Sequence, residues 1–161
     1  MNKVYLLLGG NLGERFSLIT KAKYLINEQI GEVIKESSLY ETEPWGFEAS
    51  QSFLNQVIKV NTDLQAQSIL KICLEIESEL GRERNSTQYS SRTMDIDILF
   101  YNDDIINAND LVIPHPRLHE RRFTLEPLSE IIPDFIHPKL DKPIKQLLLE
   151  CKDDSEVHKL K

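Results

Sequence analysis

The chain has 161 residues, 19 Lys and Arg against 26 Asp and Glu, a net charge of -7 and 40% hydrophobic residues. A chain of this length buries about 70% of the surface its unfolded form exposes, enough for one full core without metal or disulfide staples. Its acidic balance opposes general binding to nucleic acid or anionic membranes, so any phosphate site must be local.

Residues Lys3 to Leu8 form a short apolar run of strand formers, too short for a signal or spanning segment, and a cytoplasmic location is expected. Gly9, Gly10, Asn11 and Gly13 then read as a tight turn. The turn lacks both the Lys-Ser/Thr of a P-loop and the G-x-G-x-x-G spacing of a dinucleotide fold, which makes it a connection rather than a phosphate cradle. From Glu14 to Ile30 the apolar positions Phe16, Ile19, Ala22, Leu25, Ile26 and Ile30 recur at helical spacing, with Gly31 as a C-terminal cap.

A second strand is expected from Glu32 to Tyr40, followed by a long loop from Glu41 to Ser52 that carries Pro44, Trp45 and Phe47. The strand Phe53 to Asn61 puts Phe53, Asn55 and Val57 on one face and Leu54, Gln56, Ile58 and Val60 on the other. Asp63 should cap a helix to Leu80, with Ile69, Ile72, Cys73, Ile76 and Leu80 as its stripe and Gly81 as its stop. Met94 to Tyr101 supplies a further strand in which Met94, Ile96, Ile98 and Phe100 alternate with Asp95, Asp97, Leu99 and Tyr101. A short strand near Leu111 to Ile113 and helices near Thr124 to Ile131 and Ile144 to Cys151 complete the chain. The charged end beyond Cys151 is expected to fray. The order predicts a single-domain α+β fold, a ferredoxin-like α/β sandwich with a mainly antiparallel sheet. Cys73 and Cys151 share no metal-ligand spacing and read as small hydrophobes.

The chemistry concentrates in one region. Six of the seven arginines (Arg82, Arg84, Arg92, Arg117, Arg121 and Arg122) lie between positions 82 and 122, where there is no lysine. Arginine presents a planar fork that binds phosphate oxygens in pairs, so this sorting points to several fixed phosphates; ion pairing with the acids of the same stretch is the plain alternative. The segment Arg82 to Arg92 is polar and rich in small residues, and reads as a lid that closes over phosphates. Asp95 and Asp97, two apart on a strand, leave one face about 6.6 Å apart along the chain. That pair suits Mg²⁺, which takes one or two carboxylates and completes its shell with water and phosphates; a solvated strand face is the alternative. His115 stands between two prolines, a rigid setting for a phosphate donor, and no zinc spacing is present.

The motifs LLLGGNLGER, SLYETEPWG, FLNQV, LGRER, SRTMDIDIL and IPHPRLHERRF occur in this order over nearly the whole chain. Together they resemble the 6-hydroxymethyl-7,8-dihydropterin pyrophosphokinase family of folate biosynthesis. The resemblance implies transfer of diphosphate from ATP, the co-substrate, to the pterin hydroxymethyl group by a monomer that needs neither nucleic acid nor membrane. It makes residues 1–151 the pyrophosphokinase domain and 152–161 a charged C-terminal tail. It also implies that Asp95 and Asp97 hold two Mg²⁺ ions on the triphosphate, and that Arg82, Arg84 and Arg92 contact phosphates from the mobile loop. His115 and Arg121 then hold the transferred end, and Glu77 and Ile98 line the base and ribose. Phe53 and Phe123 sandwich the pterin, Asn55 pairs with its amide-like edge, and Thr42, Pro44 and Trp45 give backbone contacts and a wall. Tyr89 stands where members commonly carry Trp, and can still stack on adenine. Two other readings of the residues remain: a non-catalytic nucleotide-binding ferredoxin-like sensor, and a metal-dependent nucleotidyl transferase.

Overall fold

A strand at the middle of a layered sheet must be apolar on both faces, and residues 4 to 8 meet that condition. Val4, Leu6 and Leu8 enter one buried cluster, Tyr5 and Leu7 another. In the computed structural model, which describes residues 1–43, 52–81 and 93–160, this run forms β1 (Asn2–Gly10). It is followed by α1 (Arg15–Gln29), β2 (Glu32–Glu36), β3 (Tyr40–Thr42), β4 (Phe53–Thr62), α2 (Ala66–Glu79) and β5 (Asp95–Tyr101). The rest comprises β6 (Ile106–Asn107), β7 (Val112–Ile113), α3 (Arg122–Ile131), α4 (Ile144–Glu150) and β8 (Val157–Lys159). The main sheet runs β5-β1-β4-β3-β8, with β2 also on β4, and every pairing is antiparallel. This is the expected α+β sandwich. Helices α1 and α2 cover one face, and α3 and α4 cover the other.

Several local expectations change. The expected second strand is two, because Ser37 interrupts it: the Val57 N–H donates to Ser37 Oγ at 3.0 Å, and Gln56 Nε2 donates to the Ser37 carbonyl at 2.7 Å. The hydroxyl stands in for a ladder bond, and β3 resumes beyond it. Gly9 and Gly10 belong to β1 rather than to the turn. Gly31 is no left-handed cap; a Cβ there would collide with the Asn61 carbonyl of β4, so close approach requires the glycine. Gly81, with φ +96°, does take the left-handed conformation. Asp63 does not cap α2, whose N-cap position is Gln65 without a side-chain bond. Phe16, expected in the core, is exposed, while Ile19, Ala22 and Ile26 bury the inner face of α1.

The largest change is in β5. Pairing with β1 shifts between Tyr5 and Leu6, so that Tyr5 lies opposite Phe100 and Leu6 opposite Ile98, with Leu99 as the extra residue. A bulge of this kind reverses the faces beyond it. Phe100 therefore packs with Tyr5 at a ring distance of 6.1 Å on the α3/α4 side, and Tyr101 joins the α1/α2 side. Asp95 and Asp97 precede the bulge and keep their common face.

The chain end, expected to fray, adds β8 to the edge strand β3, with Thr42 opposite Val157. Asp153 also anchors this segment, accepting the Arg122 N–H at 3.0 Å while Arg122 Nε donates to the Asp153 carbonyl at 2.8 Å. Glu130 on α3 accepts the Tyr40 hydroxyl at 2.7 Å and the Ser38 hydroxyl at 2.8 Å, bracing β3 from the other side.

His137, only 3% exposed, accepts the N–H groups of Lys139 and Leu140 on Nδ1. Burial, helped by His119 and Lys139, pushes its pKa down from 6.5 to about 4. The unfolded chain takes up this proton at pH 6.5 and the folded chain only near 4. The stabilisation is thus complete above pH 6.5 and lost as pH falls toward 4, by about 3 kcal/mol. Urea denaturation from pH 7 to 4 should show this decline, and His137→Gln should flatten its slope by about one proton. An unchanged slope would assign the decline to other groups.

Candidate active site

The site lies on the α3/α4 face at one end of the sheet, where strand register sets the order of side chains. Asp95 of β5 lies opposite Gly9 of β1, Gly9 opposite Asn55 of β4, and Asn55 opposite Tyr40 of β3. One cross-strand row thus runs from carboxylate to amide, and two strand spacings put their backbones about 10 Å apart. Asp97 opposite Leu7, and Phe53 opposite Thr42, are the next same-face pairs on either side. Gly9 is needed in this row, since a Cβ there would collide with Asn55 Oδ1. The Asn55 amide lies over the bare glycine backbone and is 5% exposed.

The Pro-His-Pro segment reaches the same end. The His115 N–H donates to the Leu99 carbonyl at 3.0 Å, which ties the segment to β5 at its bulge. His115 Nδ1 accepts the Arg117 N–H at 3.2 Å, so the neutral ring carries its proton on Nε2 and can donate. Burial, then Arg121, lowers its pKa to about 4, with Asp95 pulling the other way and Arg117 adding to the fall. The ring is neutral at pH 7, within electrostatic reach of both Asp95 and Arg121. Arg121 occupies the N-cap position of α3, and its guanidinium lies 5.6 Å from the centre of the Phe123 ring.

On the outer edge of β5, buried Glu77 of α2 accepts the Ile96 N–H on Oε2 at 2.7 Å. Ile98 puts its side chain into the α1/α2 core, and by strand alternation turns its backbone N–H and C=O to the same edge as those of Ile96. Burial raises the Cys73 pKa to about 12, with the Asp97 charge adding, which keeps this thiol protonated. The structure thus brings together Asp95, Asp97, His115, Arg121 and Phe123 around the end of a sheet that also presents Thr42, Phe53 and Asn55. Glu77 and Ile98 lie along the adjoining edge. Pro44, Trp45, Arg82, Arg84, Tyr89 and Arg92 lie outside the described residues.

The family model for 7,8-dihydro-6-hydroxymethylpterin-pyrophosphokinase (HPPK) matches residues 5–133. The chain belongs to this family. It is 43% identical to the 2-amino-4-hydroxy-6-hydroxymethyldihydropteridine pyrophosphokinase of Aquifex aeolicus over 91% of this chain and 90% of that protein. It is 41% identical to the Porphyromonas gingivalis protein of the same name over 87% of this chain and 97% of that one. Plasmodium falciparum HPPK-DHPS solved with pteroate shares the fold at a TM-score of 0.76 and 20% identity, over 92% of this chain. This HPPK chain spans about two fifths of that longer one, 42% of its length.

In this HPPK chain Gly9 and Asp153 each have a structural use that the local sequence does not announce. Gly9, expected in the turn, is instead paired within β1, and both adjacent glycines belong to the strand, so that the loop begins only beyond Gly10. Asp153 lies in the charged tail, where the Asp-x-Ser pattern with Ser155 marks a local turn in which both the Ser155 N–H and its hydroxyl donate to Asp153. The exposed apolar residues Leu74 and Val112 lie on α2 and β7 of this HPPK fold.

Proposed function

We propose that this chain transfers diphosphate from ATP to 6-hydroxymethyl-7,8-dihydropterin in folate biosynthesis, giving AMP and the pterin diphosphate, with the Asp95–Gly9–Asn55 row aligning its two substrates. That row supports the reading, since it sets the Asp95 carboxylate, with Asp97 in the next same-face row, and the Asn55 amide on one face with their backbones about 10 Å apart. Asn55 offers a donor and an acceptor to the amide-like edge of the pterin. Phe53 and Phe123 stack on its faces, each favourable ring pair contributing about 0.5–1.5 kcal/mol beyond burial. Thr42, Pro44 and Trp45 complete the pterin pocket.

Asp95 and Asp97 are hard oxygen donors, and among the described residues no cluster of three His, Cys, Asp or Glu is grouped to hold a metal alone. Such a pair fits two Mg²⁺ ions whose shells are filled by water and phosphate oxygens. Bound there, magnesium would neutralise phosphate charge and lower the pKa of the attacking hydroxyl. The pterin oxygen forms a bond to the β-phosphorus as the bond from that phosphorus to the α,β-bridging oxygen breaks and AMP leaves. The hydroxyl proton passes to the Asp95–Asp97 pair. His115 donates its Nε2–H to the transferred diphosphate, and Arg121 holds it electrostatically. Arg82, Arg84 and Arg92 contact phosphates, while Glu77, Ile98 and Tyr89 hold the nucleoside. Positioning and charge neutralisation then account for most of the rate. The enzyme acts as a cytoplasmic monomer, independent of nucleic acid and membrane. No described helix is long and apolar enough to cross a membrane.

Incubation with ATP, Mg²⁺ and the hydroxymethyl pterin should yield AMP and pterin diphosphate in equal amounts, and none without the pterin. Release of pyrophosphate would point instead to a nucleotidyl transferase. ATP binding without turnover would point to a sensor.

A further inference from the structure

Arg15 is an unusual choice for the place it occupies. It is the first residue of α1, whose first turn has no acidic residue and whose N-cap Glu14 makes no side-chain cap bond. A cation there opposes the helix dipole, so helix formation gives no reason for it. Its contacts do. Arg15 Nη1 donates to Glu41 Oε2 at 2.7 Å and to the Ser52 carbonyl at 2.9 Å, and its guanidinium lies 5.6 Å from the centre of the Phe16 ring. The pair is largely screened from solvent, with side-chain exposures of 16% for Arg15 and 32% for Glu41, whereas Lys145 and Asp134 stand at 61% and 80%.

What Arg15 touches matters more than that it is paired. Glu41 immediately precedes Thr42, and Ser52 immediately precedes Phe53. Thr42 and Phe53 are cross-strand partners at the end of the β3–β4 ladder. By alternation Glu41 faces α1, and Thr42 and Phe53 face the site. One nitrogen at the start of α1 therefore grips the residues just before both members of the terminal pair, from behind the sheet. Phe16, outside the core, lies against this guanidinium.

We propose that Arg15 is a positioning residue for pterin recognition: its bonds to Glu41 and the Ser52 carbonyl fix the terminal Thr42–Phe53 pair against which the pterin ring is held. This rests on reading Thr42 and Phe53 as pterin contacts. Because both bonds leave a single nitrogen, a lysine ammonium, with three donors, can replace them, whereas a methionine of similar length cannot.

The test uses the full chain and compares Arg15→Met, Arg15→Lys and Phe53→Ala by steady-state kinetics for each substrate, with melting temperatures as a check on folding. Arg15→Met should raise KM for the pterin about tenfold and leave KM for ATP within about twofold, and Arg15→Lys should recover most of the loss. Equal effects on both substrates, an unchanged pterin KM, or no recovery by Lys would overturn the positioning role. If Arg15→Met does not fold, Glu41→Met, which removes the acceptor, must still raise the pterin KM selectively, and its failure to do so would equally overturn the proposal. Phe53→Ala separates the two layers: an unchanged pterin KM in that variant removes the underlying reading, and the role of Arg15 with it. A raised KM there beside an inert Arg15→Met removes the Arg15 role alone.

Discussion

Asp97→Ala is expected to lower turnover by at least about 10³-fold, a loss of about 4 kcal/mol of transition-state stabilisation, while the protein still folds. Asp97 stands on the edge strand β5, is half-buried, and shares its face with Asp95. Removing its carboxylate opens no core cavity, because the neighbours Ile96 and Ile98 point to the opposite side, into the α1/α2 cluster. It does remove one of the two charges expected to share metal ions with the triphosphate, so the effect falls on the chemical step. AMP release at saturating ATP and pterin, with a melting curve beside it, measures both parts. Near-wild-type AMP production would remove Asp97 from the reaction, and loss of the folded state would mean that its role is structural.

Gly9→Ala should have the next largest effect, mainly on pterin binding. The new Cβ collides with the Asn55 side chain, and it lies 3.1 Å from the Leu54 carbonyl. The first obstacle is the end of a side chain, so the strand survives, but the amide must leave its place over β1. A rise of at least about tenfold in pterin KM follows, with a stability loss near the low end of the 1–3 kcal/mol typical of overpacking. Gly31→Ala is the contrasting case. Its Cβ meets backbone, the Asn61 carbonyl and the Thr62 Cα at 3.0 Å, which cannot swing aside. That variant should lose more stability and leave KM unchanged in whatever fraction folds. If instead Gly9→Ala binds pterin normally, the Asn55 amide does not need its position above the glycine.

What could be read in the residues follows a physical pattern. The layers and the order of elements were legible because periodicity reports burial over many residues, and the Asp95–Asp97 pair was legible because alternation on a strand is reliable over two positions. Alternation failed at Leu99, where one extra residue reverses Phe100 and Tyr101. No local signal marks the place, since apolar residues run on through the bulge and both faces are buried. Phe16 misled for the opposite reason: its spacing fitted the helix stripe, while its partner is a charge on the adjacent residue. The pairing of β8 with β3 and the contact of Asp153 with Arg122 join positions far apart in the chain, which neither composition nor local propensity encodes. Within the site, Asn55 and Phe53 were placed on one face by counting. Gly9 required knowing which strand lay beside them.

The most direct measurement is an anomalous difference map from crystals grown with Mn²⁺, the hydroxymethyl pterin and an ATP analogue carrying a methylene group between the α- and β-phosphorus. Metal peaks within coordination distance of both Asp95 and Asp97, bridging the analogue's phosphates with the pterin ring against Asn55, are the predicted result. Metal bound only to the analogue, with both carboxylates turned away from it, would contradict the account.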